Sequence, residues 1–293
     1  MRASEHPLAL SLLRRCPALV VGESVTCAVS GGPDSLALLI LATAAGCVVT
    51  VVHVDHGLRP DSHLDGPAVG ALAAQFGASF RSERITVDGS ANVEARARDA
   101  RWQALGSEAL TGHTADDQAE TVLINLLRGG AIDGLSGMSP VRHPLLALRR
   151  HETRALCAAF GIEPLDDPTN YLPIYLRNRV RHELLPLMDE ISRRDLVPLL
   201  TRQAELLRDD AHLLNQLARE LDPSDAKALA NAPIALARRA VRLWLTTDHP
   251  PDSATVERVL GVARGDVQAC ETNDGRRVSR HRQRLSLDGP DRR

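Results

Sequence analysis

The sequence predicts an α/β fold, a doubly wound parallel sheet followed by a smaller, mainly helical C-terminal domain that ends in a hairpin. Three observations carry this expectation. Apolar, β-branched runs alternate with helix-like segments through the first half of the chain, the pattern of βαβ units. After Pro144 the strand pattern stops and leucines recur at helical spacing. Near the end, Asn273-Asp274-Gly275 separates two extended runs, a strong hairpin-turn signal.

The elements follow in order. Residues 21–30 (VGESVTCAVS) read as a buried strand running into Gly31-Gly32, and 36–45 as a compact apolar helix. Residues 47–54 (CVVTVVHV) form a continuous β-branched strand, the kind covered on both faces of a parallel sheet. A helix at 67–76, a strand at 80–87 and an arginine-rich helix at 92–105 come next. A short fourth strand at 109–112 leads to a helix at 115–127. Beyond it, 145–160 reads as helix, 163–170 as a Pro/Asp-rich loop, and 174–188 as a basic helix broken by Pro186. Residues 192–221 are a long amphipathic stretch, with further helices at 233–245 and 255–263. The hairpin arms are 267–272 and 277–287. A boundary near Pro186 divides the chain into domains 1–186 and 187–293.

Composition excludes several classes. The 293 residues suit two domains of ~150 residues, and 44% apolar content supplies a sizeable core. No apolar run approaches the ~20 residues that span a bilayer, and residues 1–13 lack a secretory pattern, so no membrane partner is expected. Five scattered cysteines without C-x-x-C spacing argue against a disulfide framework or zinc knuckle and suit a reducing cytoplasmic setting. The net charge of −2 hides 35 basic residues of which only Lys227 is lysine. Whatever its compositional origin, that bias supplies planar, bidentate phosphate-binding groups. It also leaves no Gly-Lys-Ser/Thr for a Walker A loop, which excludes the P-loop kinases and GTPases.

The sharpest local signal is Ser30-Gly31-Gly32-Pro33-Asp34-Ser35, at the joint of the first strand and its helix. Glycines let backbone N–H groups converge into an anion nest, and the helix N-terminus adds unpaired donors and a positive dipole end. Asp34 supplies a carboxylate suited to a phosphate-bound Mg²⁺. Out of context the same hexapeptide is also a glycine turn with a helix cap; its place in the first βα crevice of a parallel sheet favours the ligand.

This hexapeptide resembles the SGGxDS loop of the N-type ATP pyrophosphatase (PP-loop) superfamily, whose fold is adenine nucleotide alpha hydrolase-like. Further motifs follow: His53-Val54-Asp55-His56-Gly57-Leu58-Arg59, Thr111-Gly112-His113-Thr114-Ala115-Asp116-Asp117-Gln118-Ala119-Glu120-Thr121, Arg128-Gly129-Gly130, Gly134-Leu135-Ser136-Gly137-Met138, Asp166-Asp167-Pro168-Thr169-Asn170 and Arg177-Asn178-Arg179-Val180-Arg181. In that order they are similar to the signatures of the tRNA(Ile)-lysidine synthetase family over about residues 20–190. Beyond that the resemblance is only general. Two positions depart from the pattern: His143 stands directly before Pro144, where Arg is usual, and Trp102 replaces a tyrosine.

The resemblance implies an ATP-dependent ligase. It would adenylate C2–O of the wobble cytidine of a CAU-anticodon tRNA(Ile), join free L-lysine there, and shift decoding from AUG to AUA. It implies ATP contacts at Ser30, Gly31, Gly32, Pro33, Asp34, Ser35, His53, Gly112 and His113, with Asp34, His113, Asp117 and Arg179 catalytic. Asp34 and Asp117 are the Mg²⁺ candidates, although Asp116-Asp117 also suits the first turn of a helix. Lysine candidates are Asp55, Glu120 and Asp133 for the ammonium groups and Arg128 for the carboxylate, each equally readable as a surface ion pair. His53 and His56, at i and i+3 on a strand end, point apart and do not suggest zinc.

For tRNA, three basic clusters stand out: Arg96, Arg98 and Arg101; a second around Arg142, Arg149, Arg150, Arg154, Arg177, Arg179 and Arg181 with Asn178; and a hairpin cluster with Arg276, Arg277 and Arg280. Any one of them is also a plausible solvated face. With aromatics at only 2%, arginine planes are the expected stacking partners for a splayed base. Some members of the family form homodimers. The rivals are a thiolase of the same superfamily, which would need reactive paired cysteines, a small-metabolite amide ligase, and a non-catalytic nucleotide-binding module.

Overall fold

The computed structural model describes residues 2–55, 57, 62–85, 103–165, 168–247 and 249–289, leaving aside the side chains of 169 and 170. Most of the expected helix at 92–105, with Arg96, Arg98, Arg101 and Trp102, lies outside the described residues, as do His56, Arg59, Asp166 and Asp167. The chain divides into two compact units, Met1–Glu205 and Leu206–Arg293.

In the first unit, helix α1 (Pro7–Leu13) precedes strand β1 (Ser24–Ala28), α2 (Pro33–Ala44), β2 (Val48–Asp55), α3 (Asp65–Gln75), β3 (Ser79–Arg84) and β4 (Leu110–Thr111). All four strands are parallel, in the order β3-β2-β1-β4. β1 lies against β2 with Thr26 opposite Thr50, and against β4 with Cys27 opposite Leu110. The winding reverses between β1 and β4, so a crevice opens beyond their carboxyl ends, where open parallel sheets bind ligands. Both faces of the sheet are covered. Cys27, Val49 and Val51 pack with α2 and with Leu145, Leu148 and Leu156, whereas Ala28 and Val52 pack with Leu105 and Ala109. α2 is apolar all round, and Leu36 through Ala42 are buried without interruption, as befits a helix enclosed by its neighbours.

The helices α4 (Ala115–Leu127), α5 (Ile132–Leu135), α6 (Arg150–Ala159), α7 (Leu176–Arg179) and α8 (Leu185–Ser192) complete this unit, and α9 (Val197–Arg219) runs across its boundary. The run 145–160 is helical only from Arg150. Leu145 and Leu148 are core side chains on a turn, and the Arg149 N–H donates to Glu152 Oε2 (2.8 Å), which fixes the helix start one turn later than leucine spacing suggests. Pro186 does not break the basic helix either. A π turn at Val180–Leu184, with Leu185 N–H donating to Val180 O, places the proline in the first turn of α8, where its missing donor is harmless.

The second unit holds α10 (Ala226–Asn231), α11 (Ile234–Leu245), α12 (Ser253–Arg264) and strands β5 (Ala269–Glu271), β6 (Arg277–His281) and β7 (Arg284–Asp288) in one antiparallel meander. Its core joins Leu229, Val241, Leu245, Val259 and Leu260 to Val278 and Leu285. α10, not foreseen, is capped by Asp225, whose carboxylate accepts from the N–H groups of Lys227 and Ala228; Lys227 is exposed. The arm expected at 277–287 is two strands. Arg282 and Gln283, both at positive φ (46° and 65°), form the tight turn between them without the glycine or asparagine that would announce it.

Candidate active site

The loop from Ser30 to Ser35 lies at the switch point. Gly31 has φ +90°, a conformation that requires glycine, and a Cβ there would also displace the Leu165 side chain, whose Cδ1 would stand 2.4 Å away. Leu165 N–H donates to Gly31 O (2.9 Å), tying the loop before Asp166 to the phosphate loop. Ser35 closes the turn. Its hydroxyl donates to Gly32 O (2.8 Å) and accepts from Ser30 N–H (3.2 Å), while the Ser30 hydroxyl lies 3.3 Å away. Gly32 caps α2, Pro33 occupies its first turn, and the helix N-terminus faces the crevice. Gly112 follows β4 so closely against this loop that a Cβ would lie 2.4 Å from Asp34 O.

Three carboxylates and three arginines interlock across the crevice. The Asp34 carboxylate accepts from the Thr153 hydroxyl and lies 3.7 Å from Arg150 Nε. Burial, with the neighbouring Asp117 charge, pushes its pKa up to about 6 against the opposing pull of Thr153, Arg150 and Arg181. Asp117, in the first turn of α4, takes the N–H (2.9 Å) and hydroxyl (3.0 Å) of Thr114 on Oδ2. Its Oδ1 receives Arg150 (2.9 Å), Arg177 (3.2 Å) and Arg181 (3.3 Å). Although burial opposes ionisation, His113, Arg177 and Arg150 hold this carboxyl well below the usual range. Glu120, one turn on and 0% exposed, is bonded by the same three arginines at 2.7–3.0 Å. Each buried carboxylate thus has its compensating cations, as burial demands.

The other expected residues fall in different places. His113 projects from the end of β4, half-buried, with Nδ1 3.9 Å from Asp117 Oδ2 and its ring 5.1 Å from that of His143. His143 Nδ1 in turn lies 2.5 Å from the Thr111 hydroxyl. His53 is buried beneath the loop, its Nδ1 3.0 Å from Val29 O, so it braces the backbone that enters the loop. Asp55 is buried at the end of β2. Burial raises its pKa, but Gly57 N–H (2.8 Å), Ser62 and Arg84 together bring it below the usual value. Arg128 and Asp133 are exposed on the segment after α4. Arg179 is 59% exposed and pairs with Glu183 (2.9 Å), whereas its neighbours Arg177 and Arg181 turn inward to Asp117 and Glu120. Asn178 is buried and donates to Leu172 O (2.8 Å).

In the second unit, Arg276 bonds Asp274 and Leu245 O, and Arg280 bonds Ala263 O (3.0 Å) and Gln283 (2.6 Å); Arg277 is exposed on β6. Arg150 and Thr153, at the centre of the crevice, together with Arg177 and Arg181, which the sequence assigns to tRNA, are the residues that sequence reasoning does not place there. Arg150 had been grouped with the surface arginines, and only the turn at 145–148 carries it inward. Among the described residues no three His, Cys, Asp or Glu side chains converge as a metal cage. Asp34 and Asp117 are a two-carboxylate set, which suits an ion that completes its shell from phosphate and water.

A parallel sheet with a glycine-rich anion loop at its switch point, faced by two carboxylates, defines a PP-loop nucleotide-binding protein. The family described as a PP-loop domain matches residues 11–188, and the TilS substrate binding domain matches 225–286. The chain is 42% identical over 239 residues to a tRNA(Ile)-lysidine synthase from Nocardia farcinica, covering 76% of this chain and 75% of that one. It is 39% identical to a namesake from Rhodococcus erythropolis (84% and 82% covered) and 37% to one from Thermobifida fusca (86% and 85%). The chain belongs to the tRNA(Ile)-lysidine synthase family, a family of ATP-dependent ligases. Among solved structures, the U34-tRNA thiolase NcsA from Methanococcus maripaludis shares the fold, with a TM-score of 0.57 at 17% identity over 69% of this chain and 80% of that one. Among the described residues all five cysteines are free, and three are buried, with the pKa values of Cys16, Cys27 and Cys157 pushed up to about 12 by burial. Burial weakens such thiols as nucleophiles.

Proposed function

We propose that this chain ligates free L-lysine to C2 of the wobble cytidine of a CAU-anticodon tRNA(Ile), through an adenylated tRNA intermediate, and so changes decoding from AUG to AUA. The observation that carries this reading is the pair of family matches in tandem on one chain, a nucleotide-binding domain followed by a TilS substrate binding domain. Ser30 to Ser35 and the α2 N-terminus hold the pyrophosphate, and Gly112 keeps β4 close enough for His113 to meet the α-phosphoryl group. Asp34 and Asp117 would hold Mg²⁺, which neutralises phosphate charge when bound. Arg150 sits between them and moves to a phosphate oxygen as ATP enters. Asp55, Asp133 and Arg128 are the groups offered to lysine, and Glu120 meets its ammonium by exchange with one guanidinium partner. Arg179, exposed, and Arg277 track tRNA phosphates. The protein works in the cytoplasm, as a homodimer like some members of the family.

Purified protein given ATP, Mg²⁺, lysine and the tRNA transcript is expected to release pyrophosphate only when tRNA is present. Mass spectrometry of the wobble nucleoside is expected to show the gain of one lysine less water. Pyrophosphate release without tRNA would point to a metabolite ligase, release that requires a sulfur donor to a thiolase, and an unchanged nucleoside would overturn the reading.

A further inference from the structure

Both tyrosines of the chain, Tyr171 and Tyr175, lie within five residues of each other, in the segment that leads into the inward-facing arginines. Tyr171 ends the short 3-10 turn Pro168–Tyr171 and is 58% exposed; Tyr175 caps α7 and is 38% exposed. The Tyr171 ring lies stacked on His182, with centroids 6.0 Å apart and planes at 24°. Leu172, Ile174 and Leu176 are exposed beside them, and a contiguous exposed apolar run of this kind marks an interaction surface.

The segment is anchored to the crevice. Asn178 Nδ2 donates to Leu172 O (2.8 Å), Arg179 N–H donates to Tyr175 O (3.2 Å), and Arg177 reaches Glu120 Oε2 (2.8 Å). No carboxylate occurs between Pro168 and His182; Arg179, exposed on the same stretch, pairs with Glu183 just beyond it (2.9 Å), a partner it would exchange for a phosphate. A flat aromatic face and an exposed guanidinium carried on one segment supply the chemistry by which proteins hold unpaired nucleobases: the ring stacks on the base and the cation meets the phosphate.

We propose that Tyr171, backed by His182, is a stacking platform for an unpaired base of an RNA loop, with Arg179 contacting the adjoining phosphate. The proposal rests on the RNA-modifying reading above and adds to it the surface that holds the loop. It replaces the expectation that arginine planes serve this purpose. Stacking is sequence-tolerant, so this platform holds the loop rather than choosing the base.

The test uses the full chain and two probes, a synthetic anticodon stem-loop with a CAU loop and a short oligocytidine. Affinities are measured by fluorescence anisotropy over a salt series, with ATP binding by calorimetry and folding by circular dichroism. Tyr171→Ala and Tyr171→Leu are expected to weaken both RNAs roughly 5- to 100-fold. The salt slope is expected to stay unchanged, because no phosphate contact is lost. ATP binding is expected to persist, and Tyr171→Phe to bind as the unaltered chain does. Equal binding by Tyr171→Ala, or a loss in Tyr171→Phe as large as in Tyr171→Ala, would overturn the platform. So would a change in self-association with RNA affinity intact, which would assign the surface to a second copy. Wild-type protein that makes no lysidine while its loop binding still depends on Tyr171 would sink the modification chemistry and leave the platform standing.

Discussion

At the scale of single residues, Asp34 carries the clearest tension between stability and use. Its pKa is pushed up to about 6, so between about pH 4 and pH 6 the native state binds a proton that the unfolded chain has already released. Stability from this group therefore falls as pH rises through that window and stays lower above it, by roughly 2–3 kcal/mol. Asp34→Asn cannot charge. Urea unfolding is expected to show the variant gaining on the unaltered chain from about pH 4 to pH 7, with tRNA-dependent pyrophosphate release lost. A stability difference that is flat with pH would mean that neither burial nor Asp117 strains this carboxyl. The loop itself was legible in the sequence, because Ser-Gly-Gly-Pro-Asp-Ser dictates its own turn. Arg150 was not, because nothing local distinguishes an arginine that turns inward from Arg154 four residues on.

At the scale of elements, α4 organises what surrounds it. Its N-terminal turn presents Asp117 and Glu120 to the arginines, while Gln118 and Asn125 hold the segment that follows the helix. The Gln118 amide accepts from Met138 N–H (2.8 Å) and donates to Met138 O (3.2 Å), and Asn125 Nδ2 donates to Gly134 O (2.7 Å). The stretch carrying Arg128 and Asp133, α5 included, is thus braced against α4. Gln118→Ala leaves two backbone groups without these partners, at a local cost of roughly 1–2 kcal/mol. Hydrogen exchange is expected to quicken at 134–138 well before global unfolding shifts, and unchanged protection there would refute the brace. The span of α4 was legible, since the helix expected at 115–127 is the one observed, Ala115–Leu127. The π turn ahead of Pro186 and the Arg282-Gln283 turn were not, since each depends on backbone conformations that their residues do not announce.

At the scale of the molecule, the alternation of strands and helices was enough to give the parallel sheet, but counting arginines could not separate those that fasten the fold from those that face outward. The hairpin shows the difference. Arg280 holds Ala263 O at the end of α12 and the Gln283 side chain, whereas Arg277 is exposed on β6. Arg277→Gln is expected to lower the salt slope of tRNA binding by roughly 0.7–0.9 with little change in stability. Arg280→Gln is expected to leave the slope unchanged and destabilise the second unit by roughly 1–2 kcal/mol. Filter binding over a salt series and thermal melting distinguish the two; matching slopes for both variants would mean that the β6 face meets no phosphate. The exposed first turn of α10 has a practical consequence of its own. Lys227 carries the only side-chain amine in the sequence, so acylating dyes would tag the interior of the chain at one defined point in the second unit. A fluorophore there would report tRNA docking on the second unit.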